Sequence, residues 1–322
     1  MLFRSYWVIL LGGAFQSILA LGQFYLQKSW GLFWLGESRL GQEILGVAKL
    51  ELEQQKFIRG YGTFPHPNLL GAFLLFSLAA GIWLLRNQRR EKYQSIGLFF
   101  PITLILIGLT LSFSRSAWLA TALWGLLFYM PILFQKNKKF YSLKKAFLTF
   151  ATRKKFHLAI LALIFCGSLF FLAPFILSRI ASSFQNDPSF SLRKEYASAA
   201  KELIGQKPLT GFGLGQFCFQ LTQSNPMWLR QPWTIQPVHN LYLLAVVETG
   251  IGALLFFGGV LRLSTGRFLL TKEIFPALFL SFLFLGLFDH YFWTLPQGRL
   301  LFFLALAFSA LSCKMKETNR SV

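Results

Sequence analysis

The chain has 322 residues, of which 54% are hydrophobic and only 14% are charged. A soluble globular protein carries about 25% charged residues, so this composition excludes a soluble domain and indicates a protein of the lipid bilayer. The net charge of +20 would suit a nucleic-acid-binding protein, but the basic residues cluster in short loops between apolar runs. That distribution is the positive-inside pattern of membrane proteins, and it excludes nucleic acid as a partner.

Eight apolar runs are candidates for membrane-spanning helices. A helix needs about 20 residues, at a rise of about 1.5 Å each, to cross roughly 30 Å of hydrocarbon. The predicted fold class is therefore an all-α polytopic membrane protein with about 8 transmembrane helices. The first run follows Arg4 as in a signal peptide, but it is longer than an h-region and no A-x-A site follows, so we predict that it is retained. The predicted spans are residues 6–27, 67–85, 96–113, 116–134, 158–178, 239–261, 274–291 and 299–313.

Loop charge sets the predicted orientation of a single membrane domain over residues 1–322. Lys and Arg concentrate in the loops 86–92, 136–155 and 262–273 and in the C-terminal tail. These segments share one side of the membrane if the N-terminus is cytoplasmic, so both termini are predicted to lie in the cytoplasm and the protein in the cytoplasmic membrane. The segments predicted outside are 28–66, 114–116, 179–238 and 292–298.

Residues 179–238 form a large external loop between the fifth and sixth predicted spans. Ser191 is the predicted N-cap of a short helix that ends near Gly205, with Arg193 in its first turn. The glycine-rich turn after Pro208 is predicted to be flexible, and it lacks the lysine of a nucleotide-binding loop. Because an apolar chain keeps this segment in water, we interpret it as part of a site outside the membrane.

The three cysteines show no metal-ligand or disulfide pattern. Cys166 and Cys313 lie in apolar runs, and Cys218 alone is predicted outside. No CxxC spacing occurs, so all three are interpreted as small apolar side chains.

Arg115 and Arg193 are the predicted phosphate-binding cations. Arg115 lies in the short turn between the third and fourth spans, where it either reaches the lipid headgroups or binds a phosphate through two guanidinium N–H groups. Arg193 is either a solvated helix charge or, together with the free amides of a helix N-terminus, an anion-binding group.

His239 is the predicted general base, and an amphipathic side chain at the membrane interface is the alternative. The ordinary pKa of a histidine, about 6.5, suits proton transfer near neutral pH. Tyr242 lies about one turn further along and is predicted to share its face. Glu248 lies nine residues after His239 on the opposite helix face, so it is interpreted as a hydrogen-bonding group between helices.

Other polar residues at the predicted outer face have structural interpretations. Asn68, close to His66, is the predicted N-cap of the second span. An Asp–His pair such as Asp289 and His290 could orient an imidazole. The two residues are consecutive at the end of a predicted helix, where neighbours in sequence do not face each other, so a structural role is predicted for them.

Four motifs occur in order along the chain. They are Gly62-Thr63-Phe64 with Pro67-Asn68, Ser112-Phe113-Ser114-Arg115-Ser116-Ala117-Trp118, Pro208 with Gly211, Gly213 and Gly215, and His239-Asn240 with Leu243 and Glu248-Thr249-Gly250. This order, with the large external loop, resembles the O-antigen ligase / O-antigen polymerase family over about residues 59–255.

The resemblance implies an inverting, metal-independent glycosyltransferase that acts outside the membrane without a cofactor. Its donor would be a glycan on undecaprenyl pyrophosphate, and its acceptor would be a second glycan or a lipid. His239 is the implied catalytic residue. The resemblance implies that Arg115 and Arg193 hold the pyrophosphate. The further predicted substrate-binding residues are Arg59, His66, Asn240 and Tyr242, and the residues with structural or uncertain roles are Asn68, Glu248, Asp289 and His290.

Two alternatives from other classes stay open. Some relatives have been labelled anion carriers, and a transporter of anions or small solutes would show broken helices or repeats with sites at the membrane midplane. Family members usually carry several more spans before the Gly-Thr-Phe motif, whereas one is predicted here. This difference is expected of a short variant, a truncated chain or a non-catalytic assembly subunit. Ligase and polymerase are not separated by the sequence, because both use the same donor.

Overall fold

The computed structural model describes residues 2–87, 94–134, 155–181, 188–224, 228, 234–271 and 273–318. Within these ranges lie twelve α-helices, so the predicted all-α class is confirmed apart from one short hairpin. The helices are α1 (Leu2–Leu26), α2 (Pro67–Asn87), α3 (Gln94–Leu111), α4 (Arg115–Phe134), α5 (Lys155–Ala181), α6 (Pro188–Gln206), α7 (Phe217–Ser224), α8 (Leu241–Thr249), α9 (Gly252–Thr271), α10 (Ile274–Leu285), α11 (Tyr291–Thr294) and α12 (Pro296–Thr318). Strands β1 (Lys49–Leu52) and β2 (Gln55–Ile58) form the antiparallel hairpin.

The chain divides into two compact units, Met1–Ala181 and Ser182–Val322, and each is described by itself. The single membrane domain over residues 1–322 stays a prediction. The basic loops 86–92 and 136–155 lie largely outside the described residues.

Among the described residues, three helical segments are long and apolar enough to cross a membrane: Phe3–Leu26, Pro67–Asn87 and Ala162–Ala181. Shorter apolar helices cover Gly97–Leu111, Ile274–Leu285 and Pro296–Ser312. These segments support the predicted membrane class, whereas the number of eight spans stays a prediction.

The bounds of two predicted spans are wrong. Residues 239–261 do not form one helix, because α8 ends at Thr249 and α9 begins at Gly252. Gly250 between them has a φ of 68°, which breaks the helix. The predicted span 274–291 ends at Leu285, so Asp289 and His290 lie in a connection and not on a helix.

In the first unit, α1 packs against α2 and α3. Close approach between α1 and α3 depends on small residues, since a Cβ added at Gly108 would lie 2.3 Å from Ser17 Oγ. Tyr6 of α1 also stacks on Trp83 of α2, with ring centroids 3.9 Å apart. The hairpin is joined to α5 by a hydrogen bond of 2.6 Å from Ser178 Oγ to the carbonyl of Glu51.

In the second unit, the loop helices α6 and α7 pack their apolar faces on α8. The cluster that joins them contains the buried side chains of Tyr196, Ala200, Leu203, Phe217, Leu221, Leu244 and Val247. The external loop is therefore folded back onto the helix that follows it.

Helix α6 begins at Pro188, four residues before Leu192, which would be its first residue if Ser191 were the N-cap. Proline is favoured in the first turn of a helix, because its missing N–H would have no helical partner there. Ser191 is therefore inside the helix and is not its N-cap, and Arg193 lies in the second turn and not the first.

The glycine-rich turn after α6 is held against the end of α8. The N–H groups of Phe212 and Gly213 donate to the carbonyls of Val247 and Glu248, both at 2.9 Å. The N–H of Ile251 donates back to the carbonyl of Pro208, also at 2.9 Å. This turn was predicted to be flexible, but three backbone hydrogen bonds fix its position.

Candidate functional site

In the first unit, Arg59 is buried and bonded within the protein. Arg59 is only 4% exposed. Its Nε donates to the carbonyl of Ser112 and its Nη2 donates to Asn68 Oδ1, each at 2.8 Å. These bonds join the segment between β2 and α2 to the start of α2 and to the end of α3. They favour a structural role for Arg59 over the predicted contact with substrate.

The predicted cap of α2 is wrong. Asn68 lies inside the helix, which begins at Pro67. The imidazole of His66 takes the capping role, because its Nδ1 accepts a hydrogen bond of 3.1 Å from the N–H of Asn68. The predicted role of His66 in substrate binding stays a prediction.

Arg115 is the first residue of α4 and is half-buried. It follows a tight turn in which buried Phe113 has a φ of 45°, uncommon for a residue other than glycine. Ser114 Oγ accepts from the N–H of Ala117 at 3.3 Å and caps the helix. The turn thus places Arg115 at a helix N-terminus, where an anion is favoured, and its predicted role in phosphate binding stays a prediction.

In the second unit, His239 precedes a strongly fixed helix start. The side chain of Asn240 caps α8 by accepting from the N–H groups of Tyr242 and Leu243, at 3.0 and 2.9 Å. Its Nδ2 donates to the carbonyl of Leu287 at 3.1 Å. Tyr242 donates its hydroxyl to the carbonyl of Leu283 at 2.6 Å. Asn240 and Tyr242, both predicted to bind substrate, are therefore used in this structure to hold α8 against the end of α10.

This docking brings His239 to Asp289 and His290, which form a cluster with it. His239 Nδ1 lies 3.4 Å from Asp289 Oδ1, and His290 Nε2 lies 3.9 Å from the same oxygen. The N–H of His290 donates to Asp289 Oδ1 at 2.8 Å, and the ring nitrogen Nδ1 of His290 is 2.8 Å from Thr294 Oγ1. The two imidazole rings are 5.2 Å apart.

This cluster is not evident from the sequence. The predicted span 274–291 places Asp289 and His290 next to each other on one helix, but that helix ends before them. Released from helical geometry, the Asp289 carboxylate faces a residue 50 positions earlier in the chain. The only local signal was the pair of polar residues at the end of an apolar run.

Helix α6 contributes two residues near the cluster. The ring of Tyr196 lies 6.2 Å from that of His239. Arg193, three residues earlier on the same helix, is close enough for its charge to lower the pKa of His290. Of the predicted cations, Arg193 is therefore the one that the second unit brings toward His290 in this cluster.

Burial lowers the pKa of His290 to about 4 from 6.5. Asp289 opposes this shift, whereas His239 and Arg193 reinforce it. His290 is therefore neutral at pH 7 and makes its hydrogen bond to Thr294 as an uncharged imidazole.

This shift predicts a loss of stability in acid. Because the folded pKa is lower than the unfolded one, the unfolded chain takes up a proton between pH 6.5 and about pH 4 that folded His290 does not. The contribution of neutral His290 to the free energy of unfolding is complete above pH 6.5 and is lost as the pH falls to about 4. We expect the unfolding temperature of the detergent-solubilised protein to fall across this window. His290→Gln should flatten that part of the profile, and an identical slope in both proteins would contradict the assignment.

The cluster also offers a set of metal-ligand atoms. One ligand atom from each of His239, Asp289 and His290 lies within 4.8 Å of the others. Two imidazoles and a carboxylate form a donor set found in catalytic zinc sites. The predicted absence of a metal therefore needs a direct test.

A cavity of about 410 Å³ lies beside the cluster in the second unit. Thr294, the partner of His290, lines it, and so does Glu248. Glu248 is 4% exposed and its Oε2 accepts a hydrogen bond of 2.7 Å from Trp293 Nε1. Its carboxylate thus bridges two helices within the wall of the cavity, whose other lining is mostly aromatic and aliphatic.

Apolar membrane-type helices that end in a histidine–carboxylate cluster, beside a folded polar loop, define a polytopic membrane protein with a polar site at its helix ends. The family model described as O-antigen ligase matches residues 100–258. The resemblance inferred from the motifs is thereby confirmed over this segment of the chain. The match includes Arg115, Arg193 and His239 but not Asp289 or His290. No curated protein and no solved structure gave a significant match.

Proposed function

We propose that the protein transfers a glycan from an undecaprenyl-pyrophosphate donor to an acceptor at the outer face of the cytoplasmic membrane. The family match supports glycan transfer of the O-antigen ligase or polymerase type. The observation that carries the proposal is His239, 16% exposed, just before α8 and beside the Asp289 carboxylate, in a cluster with His290, whose pKa the charge of Arg193 lowers. A base next to a cation is the arrangement that transfer to a hydroxyl acceptor requires.

In this reaction His239 takes the proton of the acceptor hydroxyl. The acceptor oxygen attacks the anomeric carbon from the side opposite the pyrophosphate, so the configuration inverts. The bond from carbon to the pyrophosphate oxygen breaks, and the leaving group departs with the electron pair. Arg193 stabilises the negative charge that develops on it, because a fixed cation needs no reorganisation at that moment. Arg115, in the first unit, is proposed separately as a phosphate-binding residue.

A metal is not required by this scheme, since arginine replaces it as the counter-charge of the leaving group. The test is transfer by the purified chain in detergent, with a synthetic undecaprenyl-pyrophosphate oligosaccharide, candidate acceptors and EDTA. Lengthened lipid-linked product would identify a polymerase, and glycan on a different acceptor would identify a ligase. Absence of transfer by protein that still binds the pyrophosphate lipid would contradict the catalytic proposal. Loss of transfer caused by EDTA would contradict metal independence.

A transporter of anions or small solutes is the second candidate, because the break between α8 and α9 beside buried Glu248 is a feature of transporter helices. The placement of the polar groups argues against it. His239, Asp289 and His290 gather where α8 begins and just after α10 ends, an arrangement that suits chemistry at the ends of the helices rather than a transport site along them. Flux of labelled anion into proteoliposomes would support the transporter.

A further inference from the structure

The Nδ1 atom of His239 is the starting observation. It is buried and has no hydrogen bond of acceptable geometry to the described residues. Asp289 Oδ1 lies 3.4 Å from it, about 0.5 Å beyond a usual N–H···O distance. Catalytic hydrogen bonds are often long in free enzymes and shorten when substrate binds. A small rotation of either side chain would complete the hydrogen bond between His239 Nδ1 and Asp289 Oδ1.

We propose that Asp289 is the positioning residue for His239: its carboxylate accepts the Nδ1 proton and thereby leaves Nε2 as the nitrogen that takes the acceptor's proton. The inference rests on the proposed glycan transfer. In a neutral imidazole one nitrogen carries a proton and the other a lone pair. An ionised carboxylate only accepts hydrogen bonds, so it selects the tautomer with the proton on Nδ1.

The same carboxylate stabilises the imidazolium that forms during transfer. When the acceptor proton moves to Nε2, His239 becomes positive while Asp289 stays negative. The Asp289 side chain is only 6% exposed, so water screens the attraction less than at the surface. Asp289 therefore acts twice, by fixing the tautomer before proton transfer and by stabilising the charge after it.

His290 holds the carboxylate in place without competing for its charge. Its backbone N–H donates to Asp289 Oδ1 at 2.8 Å and so fixes the oxygen that faces His239. Its ring Nδ1 pairs with Thr294 Oγ1, and burial lowers its pKa to about 4. At neutral pH, His290 is therefore uncharged and forms no ion pair with Asp289, whereas His239 faces the same oxygen.

A metal ion held by the three side chains is the competing explanation. Zinc binds nitrogen and oxygen ligands at about 2.0–2.2 Å, which sets donor atoms roughly 3.4 Å apart in a tetrahedral site. Here the ligand atoms spread over as much as 4.8 Å. Arg193, whose charge acts on His290, would also repel a divalent ion. The geometry thus favours a positioned histidine, and the experiments below separate the two.

The first experiment measures transfer kinetics of Asp289→Asn. Asparagine keeps the shape of the side chain but lacks the negative charge that selects one tautomer. We expect kcat to fall by about 10²–10⁴-fold, the usual contribution of acid–base catalysis, with KM for the donor nearly unchanged. Asp289→Glu should recover part of the loss. Glu202→Gln on the exposed side of α6 is the matched carboxylate-to-amide control and should behave as the wild type.

Wild-type kcat in Asp289→Asn would overturn the proposal. The proposal would also be overturned if EDTA inactivated the wild type and His290→Gln lost as much activity as Asp289→Asn. These two results together would identify a metal site. Each variant is compared with the wild type by gel filtration and thermal unfolding in detergent. A loss of activity in a protein that elutes and unfolds normally is the supporting result.

The second experiment does not depend on activity. The chain has four histidines, so ¹⁵N imidazole signals of the labelled protein can be assigned by single substitutions. We expect His239 to show the tautomer protonated on Nδ1 in the wild type and a mixture in Asp289→Asn. A wild-type signal protonated on Nε2 would overturn the inference. If the wild type transfers no glycan but shows the expected tautomer, the proposed function fails while the pairing of Asp289 with His239 stands.

Discussion

His239→Ala is expected to abolish glycan transfer while membrane insertion and folding remain intact. The substitution removes the imidazole that is proposed to accept the proton of the acceptor hydroxyl. General-base catalysis contributes about 10²–10⁴-fold, so the residual rate should fall to that fraction or lower. The measurement is the formation of lipid-linked or acceptor-linked glycan by purified protein under saturating donor.

The substitution should not disturb the fold, because the cap of α8 belongs to Asn240 and the helix start is held by main-chain and amide hydrogen bonds. His157→Ala is the matched control, since His157 lies on the predicted cytoplasmic side. Full activity of His239→Ala would remove His239 from the mechanism. Equal losses in both variants would instead indicate a general effect of histidine removal on the protein.

Apolar length predicted most of the helical structure correctly. Six of the eight predicted spans coincide with one helix each to within a few residues, because a long apolar run in lipid must satisfy its backbone groups internally. The run 274–291 is one helix only as far as Leu285, and the largely apolar run 239–261 is broken at Gly250. What breaks it is the approach of a loop about 40 residues earlier, a contact that hydropathy does not record.

The sequence pointed to residue types for the candidate site but not to their structural partners. His239 and Arg193 were singled out because basic and imidazole groups near a water-exposed loop suit an anionic substrate. Asp289 was not, because its role depends on the distance to His239 and on the early end of α10. Local rules describe which residue can cap or end a helix. They do not describe which two helix ends meet.

The same limit explains the reassigned polar residues of the first unit. Arg59 resembled a free external cation in the sequence, but it is buried and bonded to Ser112 and Asn68. Its partners are the main-chain carbonyl of Ser112 and the side-chain amide of Asn68. No sequence pattern identifies such groups as the partners of an arginine. Burial of a charged side chain is therefore a property that only the folded chain reveals.

Gly250→Ala is expected to be the most damaging small substitution in the second unit. Gly250 has a φ of 68° and a ψ of −158°, a conformation essentially restricted to glycine. A Cβ added there would lie 2.1 Å from the carbonyl oxygen of Leu209 and 2.7 Å from the N–H nitrogen of Thr210. Both atoms are backbone, so no side-chain rotation relieves the overlap.

The damage should spread because the two segments hold each other in place. Gly211, opposite this position, has a φ of 65° and its own added Cβ would lie 2.5 Å from the Glu248 carbonyl. Separating the segments would lengthen the hydrogen bonds from Phe212 and Gly213 to the end of α8. Strain and overpacking each cost about 1–3 kcal/mol, so we expect a destabilisation of roughly 2–6 kcal/mol.

The measurement is thermal unfolding of Gly250→Ala in detergent, with Gly252→Ala as the control. An added Cβ at Gly252, the first residue of α9, meets no atom within 4 Å, and alanine favours the helix. We expect Gly252→Ala to unfold at or slightly above the wild-type temperature and Gly250→Ala to unfold well below it, with transfer lost as the loop leaves α8. Equal stability of the two variants would show that the turn at 208–213 does not hold the end of α8. The external loop would then have to be positioned over His239 by its apolar contacts alone.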